Sequence, residues 1–294
     1  MTGWTSRAPS GRIAYVNGRY LQLAEACVHI EDRGLQFGDS IYEVAGIVSG
    51  RLTDEEPHLD RLERSLRETS MTMPLSRAAL KLVMRELVRR NAVTDGLLYL
   101  QVTRGAFRRD HPFPKGDTRP TLIMTVRAMD PALTLAKRKD GIRVITQPDQ
   151  RWGRCDIKTT QLLANVMAKS AAREQGAYEA WLVDDEGFVT EGTSTNAWIV
   201  TADGEIVTRD LSNAILPGVT RQIILQAAAE AQLTVKERKF TPEEAKNARE
   251  AFISSATGAA IPVIAIDQSP LGDGRPGDVT RRIFELYARK SGIM

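Results

Sequence analysis

The chain has 294 residues, 42% hydrophobic and 26% charged, and 40 Lys+Arg against 37 Asp+Glu leave a formal charge of +3. This is the composition of a soluble globular protein of about two domains, with too little charge for a nucleic-acid or anionic-membrane footprint. Two cysteines and three scattered histidines exclude a disulfide framework and a structural zinc site, and no apolar run approaches the ~20 residues that span a bilayer. The opening Met1-Thr2-Gly3-Trp4 has no basic segment leading into an apolar one, so no signal peptide is expected and the expected compartment is the cytoplasm.

In chain order, strands are expected at residues 12–17, 26–30 and 42–48, the last closed by Ser49-Gly50. Residues 57–71 read as a helix. A second helix starts at a Ser76 N-cap and carries Leu80, Val83, Met84, Leu87 and Val88 on one stripe. Residues 97–103 and 121–126 are apolar enough to be paired central strands. Asp130-Pro131 and the charged run 137–140 break the pattern, so a linker is placed at 130–136. Beyond it come a strand at 142–146, a helix at 160–175, and a hairpin of 178–184 and 188–191 around Asp185-Glu186-Gly187. A strand at 196–200, a helix at 219–231, strands at 252–254 and 263–266 and a closing helix at 278–290 follow. The fold class is α/β (mixed α+β), with a smaller N-terminal α/β domain over 1–129 and a larger domain over 137–294.

Five segments could carry chemistry. Lys158 lies just ahead of the expected helix start, with Thr159 or Thr160 as its cap. The helix dipole and the nearby Arg151 and Arg154 would favour its neutral amine, which Schiff-base chemistry requires. Most lone lysines, however, are simply solvated. Leu216-Pro217-Gly218-Val219-Thr220-Arg221 leads into a helix whose first N–H groups and Thr220 hydroxyl form a phosphate cradle, or merely a well-made helix start. The small, hydroxyl-rich run 254–260 could add donors to the same anion. Glu191 ends a strand and, if buried, needs a cation, for which a protonated pyridine nitrogen would serve. Arg108-Arg109-Asp110-His111 offers a carboxylate-binding fork beside an imidazole, or a solvated loop. By contrast, Gly272-Asp273-Gly274-Arg275-Pro276-Gly277 fits a dinucleotide fingerprint only formally, because Pro276 interrupts it; it reads as a surface turn.

Taken together, the motifs resemble a known family. They run Glu31-Asp32-Arg33-Gly34, Gln36-Phe37-Gly38-Asp39, Tyr42-Glu43-Val44, His58-Leu59-Asp60-Arg61-Leu62, Cys155-Asp156-Ile157-Lys158, Thr190-Glu191-Gly192, Leu216-x-Gly218-Val219-Thr220-Arg221 and Ser255-x-Thr257. This order resembles the class IV (fold type IV) pyridoxal phosphate-dependent aminotransferases. Gln101-Val102-Thr103-Arg104-Gly105 followed by Arg109-x-His111 is most similar to the members acting on D-amino acids. The resemblance implies a two-domain homodimer with the cofactor at the domain interface. Lys158 would hold pyridoxal phosphate as a Schiff base and move the Cα proton, and Glu191 would pair with the pyridine nitrogen. Arg61, Gly218, Val219, Thr220 and Thr257 would grip the phosphate, and Leu216 would pack on the ring. Tyr42, Arg109 and His111 would bind the substrate carboxylate, His111 across the dimer interface, while Val44 would line the side-chain pocket. The substrates would be a D-amino acid such as D-alanine and a 2-oxo acid such as 2-oxoglutarate. Rival readings are a transaminase of branched-chain L-amino acids or (R)-amines, aminodeoxychorismate lyase on the same scaffold, and a non-catalytic binding protein. Leu35, Ser40, Thr193 and Thr195 depart from the residues common in the family.

Overall fold

A computed structural model describes residues 11–116 and 119–294. The first ten residues, including the opening stretch read for a signal peptide, lie outside the described residues. By contact the chain divides into two compact units: residues up to Met129 together with Lys158–Thr160, and Asp130–Ile157 together with Gln161–Met294.

In the first unit the order is β1 (Ile13–Val16), β2 (Arg19–Gln22), α1 (Arg33–Phe37), β3 (Ser40–Val48), β4 (Arg51–Leu52), α2 (Glu55–Glu68), α3 (Arg77–Asn91), β5 (Gly96–Thr103) and β6 (Thr121–Ala128). The strands form one antiparallel sheet ordered β2-β1-β6-β5-β3-β4. Strand geometry sends alternate side chains to opposite faces. Ile41, Glu43, Ala45 and Ile47 of β3 are therefore buried on one face, the face against which α2 packs. Tyr42 and Val44 occupy the other face, opposite Gln101 and Tyr99 of β5. The Ser76 hydroxyl accepts from Ala79 N and starts α3, as its sequence predicts. Residues 26–30 form no strand: Ile30 is 77% exposed, and the segment follows a short 3-10 turn over Leu23–Glu25.

The second unit begins at Asp130, where the expected linker 130–136 starts, and residues 131–136 of that segment are helical, in α4 (Pro131–Asp140): Asp130 accepts from Ala132 N and Pro131 occupies the first helical turn. There follow β7 (Ile142–Pro148), α5 (Leu163–Glu174), β8 (Glu179–Val183), β9 (Val189–Gly192), β10 (Asn196–Val200), β11 (Ile206–Thr208), α6 (Val219–Glu230), β12 (Val235–Glu237), α7 (Pro242–Lys246), β13 (Glu250–Ser255), β14 (Ala259–Ile266), β15 (Ser269–Pro270) and α8 (Asp278–Lys290). The sheet runs β12-β11-β10-β13-β14-β7-β8-β9, with β15 beside β14. One apolar layer gathers Trp181 and Phe240. Another stacks Trp198 on Phe252, with ring centroids 5.2 Å apart, among side chains of α6 and α8. Among the described residues no helix is long and apolar enough to cross a membrane.

Candidate active site

Lys158 departs from its sequence-based placement. The helix after it starts at Leu163 with Leu162 as N-cap, so neither Thr159 nor Thr160 caps it. Residues 158–160 instead lie along the free edge of β3. Tyr42 N donates to Lys158 O (3.0 Å), Thr160 N donates to Ser40 O (3.2 Å), and Ile41 bridges to Thr159. The Ser40 and Thr160 hydroxyls are also hydrogen bonded. With its backbone pinned, Lys158 Nζ donates to Tyr42 Oη at 3.2 Å and sits 4.2 Å from the Tyr42 ring centroid. Tyr42 in turn stacks on Tyr99, whose phenol is pushed up to about 12 by burial and by Tyr42, and which donates to Gln101 Oε1. The two arginines credited with favouring a neutral amine both engage carboxylates: Arg151 with Asp149 and Glu191, and Arg154 with Asp156.

On the opposite face of β3, Arg61 donates from Nε and Nη2 to the two oxygens of Glu43 (2.7 and 2.8 Å), and His58 Nδ1 lies 2.8 Å from the same carboxylate. Burial alone would raise the Glu43 pKa, but Arg61 and His58 outweigh it and hold the carboxyl well below the usual range. Glu43 thereby fixes the plane of the Arg61 guanidinium, a role that its motif does not announce.

Glu191, 5% exposed, finds its cation within the chain. Arg151 Nη1 pairs with Oε1, Asn196 Nδ2 donates to Oε2 (3.1 Å), and the Leu216 amide donates to both oxygens (3.2 Å). The sequence signals the need for a positive partner but not that Arg151 meets it. Asn196 is a second residue that the pattern misses. Its Nδ2 also donates to Leu216 O (3.1 Å), and a Cβ on Gly218 would lie 2.1 Å from its Oδ1. Glycine is required at 218 by this close approach, since its φ of −62° suits any residue.

Gly218 is the N-cap of α6 and has no side chain with which to close it. Val219 and Thr220 are buried in its first turn, and Thr220 Oγ1 has no hydrogen-bond partner among the described residues. Four N–H groups at a helix start need acceptors, and a buried hydroxyl without a partner is costly. An anion satisfies both, so these residues fit a phosphate group. Thr257 lies half-buried in the turn between β13 and β14, where Gly258 N donates to Ser255 Oγ (3.2 Å).

Arg109 and His111 are exposed, and both lie against Phe37 of α1: the Arg109 guanidinium is 5.1 Å from the ring centroid and the His111 ring is 5.7 Å away, edge-on. Arg33 ties their loop down, donating to Asp110 O (2.6 Å) and His111 O (3.3 Å) while pairing with Asp39. No described contact joins either of them to Tyr42 or Lys158.

Residues 40–266 match the family model for class IV amino-transferases. The chain belongs to that family. This aminotransferase works with pyridoxal phosphate. It is 42% identical to a D-alanine aminotransferase of Bacillus licheniformis over 91% of this chain and 93% of that protein. A D-alanine aminotransferase of Staphylococcus aureus (strain N315) is 36% identical over 95% of this chain and 99% of its own length. Among solved structures, the branched-chain amino acid aminotransferase of Escherichia coli superposes with a TM-score of 0.84 at 23% identity, covering 96% of this chain and 95% of that one; this is a likeness of fold.

Proposed function

We propose that this aminotransferase acts on D-amino acids, moving the amino group of a substrate such as D-alanine to a 2-oxo acid such as 2-oxoglutarate. The contact of Lys158 with Tyr42 carries the catalytic part of this reading, because a lysine anchored along a strand edge presents its Nζ at one fixed place. The relatives named D-alanine aminotransferase support the substrate class. When bound, pyridoxal phosphate supplies a ring that accepts the electron pair left at Cα as the proton departs.

Lys158 would hold the cofactor covalently until the substrate amine displaces it, and its freed Nζ would then take up the proton at the substrate Cα, a transfer that contributes about 10²–10⁴-fold. Tyr42 Oη holds that Nζ in line. Glu191 would pair with the ring nitrogen, and Leu216 would pack on the ring. Arg61, Gly218, Val219, Thr220 and Thr257 hold the phosphate, for which the unpartnered Thr220 hydroxyl and the open start of α6 are suited. Arg109, His111 and Tyr42 bind the α-carboxylate, and Val44, on the same β3 face as Tyr42, borders the side chain. The same reading takes the enzyme as a cytoplasmic homodimer. The exposed α5 face of Leu163, Val166 and Met167 is the kind of surface that a second copy covers, and both cysteines are free thiols.

The test is pyruvate formation from D-alanine and 2-oxoglutarate, run beside an L-leucine reaction. Pyruvate from D-alanine alone supports the reading. Transfer only from L-leucine removes the roles of Arg109 and His111, and no transfer from either overturns the proposal.

A further inference from the structure

Asp149 follows directly on β7, and its carboxylate organises the cation that meets Glu191. Oδ1 accepts from Arg151 N (3.1 Å) and Nε (2.9 Å), and Oδ2 accepts from Arg151 Nη2 (2.7 Å) and Thr190 Oγ1 (2.7 Å). Arg151 Nη2 also reaches Ala214 O (3.0 Å), two residues before the amide that donates to Glu191. Held along its Nε–Nη2 edge, the guanidinium has Nη1 directed at Glu191. This is the side-on geometry in which an arginine binds a carboxylate most specifically. Arg151 is 7% exposed and Asp149 11%, so little water screens the three charges from one another.

We propose that Asp149 is a positioning residue that sets the proton affinity of the cofactor's ring nitrogen through Arg151 and Glu191. The inference rests on the reading of Glu191 as that nitrogen's partner. Asp149 and Glu191 each contribute one negative charge and Arg151 one positive charge, so the cluster carries a single negative charge in excess. One proton on the ring nitrogen brings it to neutrality. Without Asp149, the Arg151 charge would be spent on Glu191 alone, and the nitrogen would lose the anion that retains its proton. The neighbouring groups leave this balance unchanged. Arg154 and Asp156 neutralise each other, and the Cys155 thiol is pushed up to about 11 by burial, with Asp149, Glu191 and Asp156 adding to the rise against Arg151, and stays uncharged. Both the Asp149 carboxyl, held below its ordinary range despite burial, and the Arg151 guanidinium, held above its own, are ionised, as the balance requires.

Two substitutions separate charge from structure because they act in opposite directions. Asp149→Asn removes a negative charge from the cluster and Arg151→Gln removes a positive one, while each breaks the Asp149–Arg151 ion pair. The full-length protein is loaded with pyridoxal phosphate isotopically labelled at the ring nitrogen, and the nitrogen NMR shift is followed against pH. Asp149→Asn should release the ring proton at a pH about one unit lower than the wild type, a tenfold loss of affinity, and Arg151→Gln should hold it to a higher pH. Shifts in the same direction, or no shift in either variant, overturn the role of Asp149 and leave the cofactor reading intact. If Asp149→Asn fails to fold, a fall or no change in Arg151→Gln overturns it equally. Failure of the wild type to bind the labelled cofactor overturns the underlying reading instead.

Discussion

Helices α6 and α8 open with closely similar sequences, Gly218-Val219-Thr220-Arg221 and Gly277-Asp278-Val279-Thr280-Arg281. Both have a glycine N-cap that cannot close the first turn with a side chain. At α8 the place is taken: the buried Glu250 carboxylate accepts from Val279 N (3.1 Å), Thr280 N (2.9 Å) and Thr280 Oγ1 (2.9 Å). At α6, among the described residues, no carboxylate accepts from the first turn, and the Thr220 hydroxyl is buried without a partner. Each glycine is required by crowding, with a Cβ falling 1.9 Å from Glu250 at position 277 and 2.1 Å from Asn196 at position 218. A helix N-terminus attracts an anion. At α8 the chain supplies that anion from β13, and at α6 it leaves the place to a ligand. The G-x-G-x-x-G look-alike that runs up to Gly277 is therefore closed to phosphate by a residue that no local motif contains.

The largest effect should come from emptying the occupied site. Glu250→Ala leaves the α8 amides and the Thr280 hydroxyl without an acceptor and should lower stability by roughly 3 kcal/mol, read by urea unfolding, with cofactor affinity unchanged. Gly218→Ala acts on the open site. Its Cβ must displace Asn196, which holds both Glu191 and Leu216, so a stability loss of about 1–3 kcal/mol should accompany a fall in pyridoxal phosphate affinity, measured by equilibrium dialysis. A matched pair sharpens the contrast further. Thr280→Val should cost about 1 kcal/mol of stability and leave cofactor binding alone. Thr220→Val removes a buried hydroxyl that lacks a partner, so it should raise the stability of the cofactor-free protein by about 1 kcal/mol and weaken cofactor binding; equal effects at the two helices would erase the distinction. The smallest effect is kinetic. With the Cys155 thiol pushed up to about 11, iodoacetamide near pH 8 should label the exposed Cys27 first. Labelling of Cys155 should rise as the pH approaches its pKa, because the thiolate is the nucleophile, and mass spectrometry of the two peptides checks this.

The elements legible in the sequence are those whose signal is local. The stripe on α3 with its Ser76 cap and the paired strands β5 and β6 stand where pattern and propensity put them. Residues 26–30 have strand-forming composition but no ladder to join, and pairing is a property of the sheet rather than of the segment. Asp130-Pro131 fits a break and a helix start equally well, and the difference is whether the Asp130 side chain meets Ala132 N. The candidate site divides the same way. Its residue types, Lys158, Glu191, Gly218 and Thr220, are legible, but their supports are not. Lys158 lies against Tyr42, 116 residues away, Glu191 meets Arg151 40 residues away, and Arg61 leans on Glu43 across 18. Contacts at such separations belong to the fold, and no spacing within a motif encodes them.

The central claim is that Lys158, built onto the edge of β3, is the residue that takes the cofactor. The protein should be loaded with pyridoxal phosphate, reduced with borohydride and digested, and the modified peptide identified by mass spectrometry. The account predicts a single pyridoxyl adduct on Lys158, abolished in Lys158→Ala. An adduct on another lysine, or none in the wild-type protein, would contradict it.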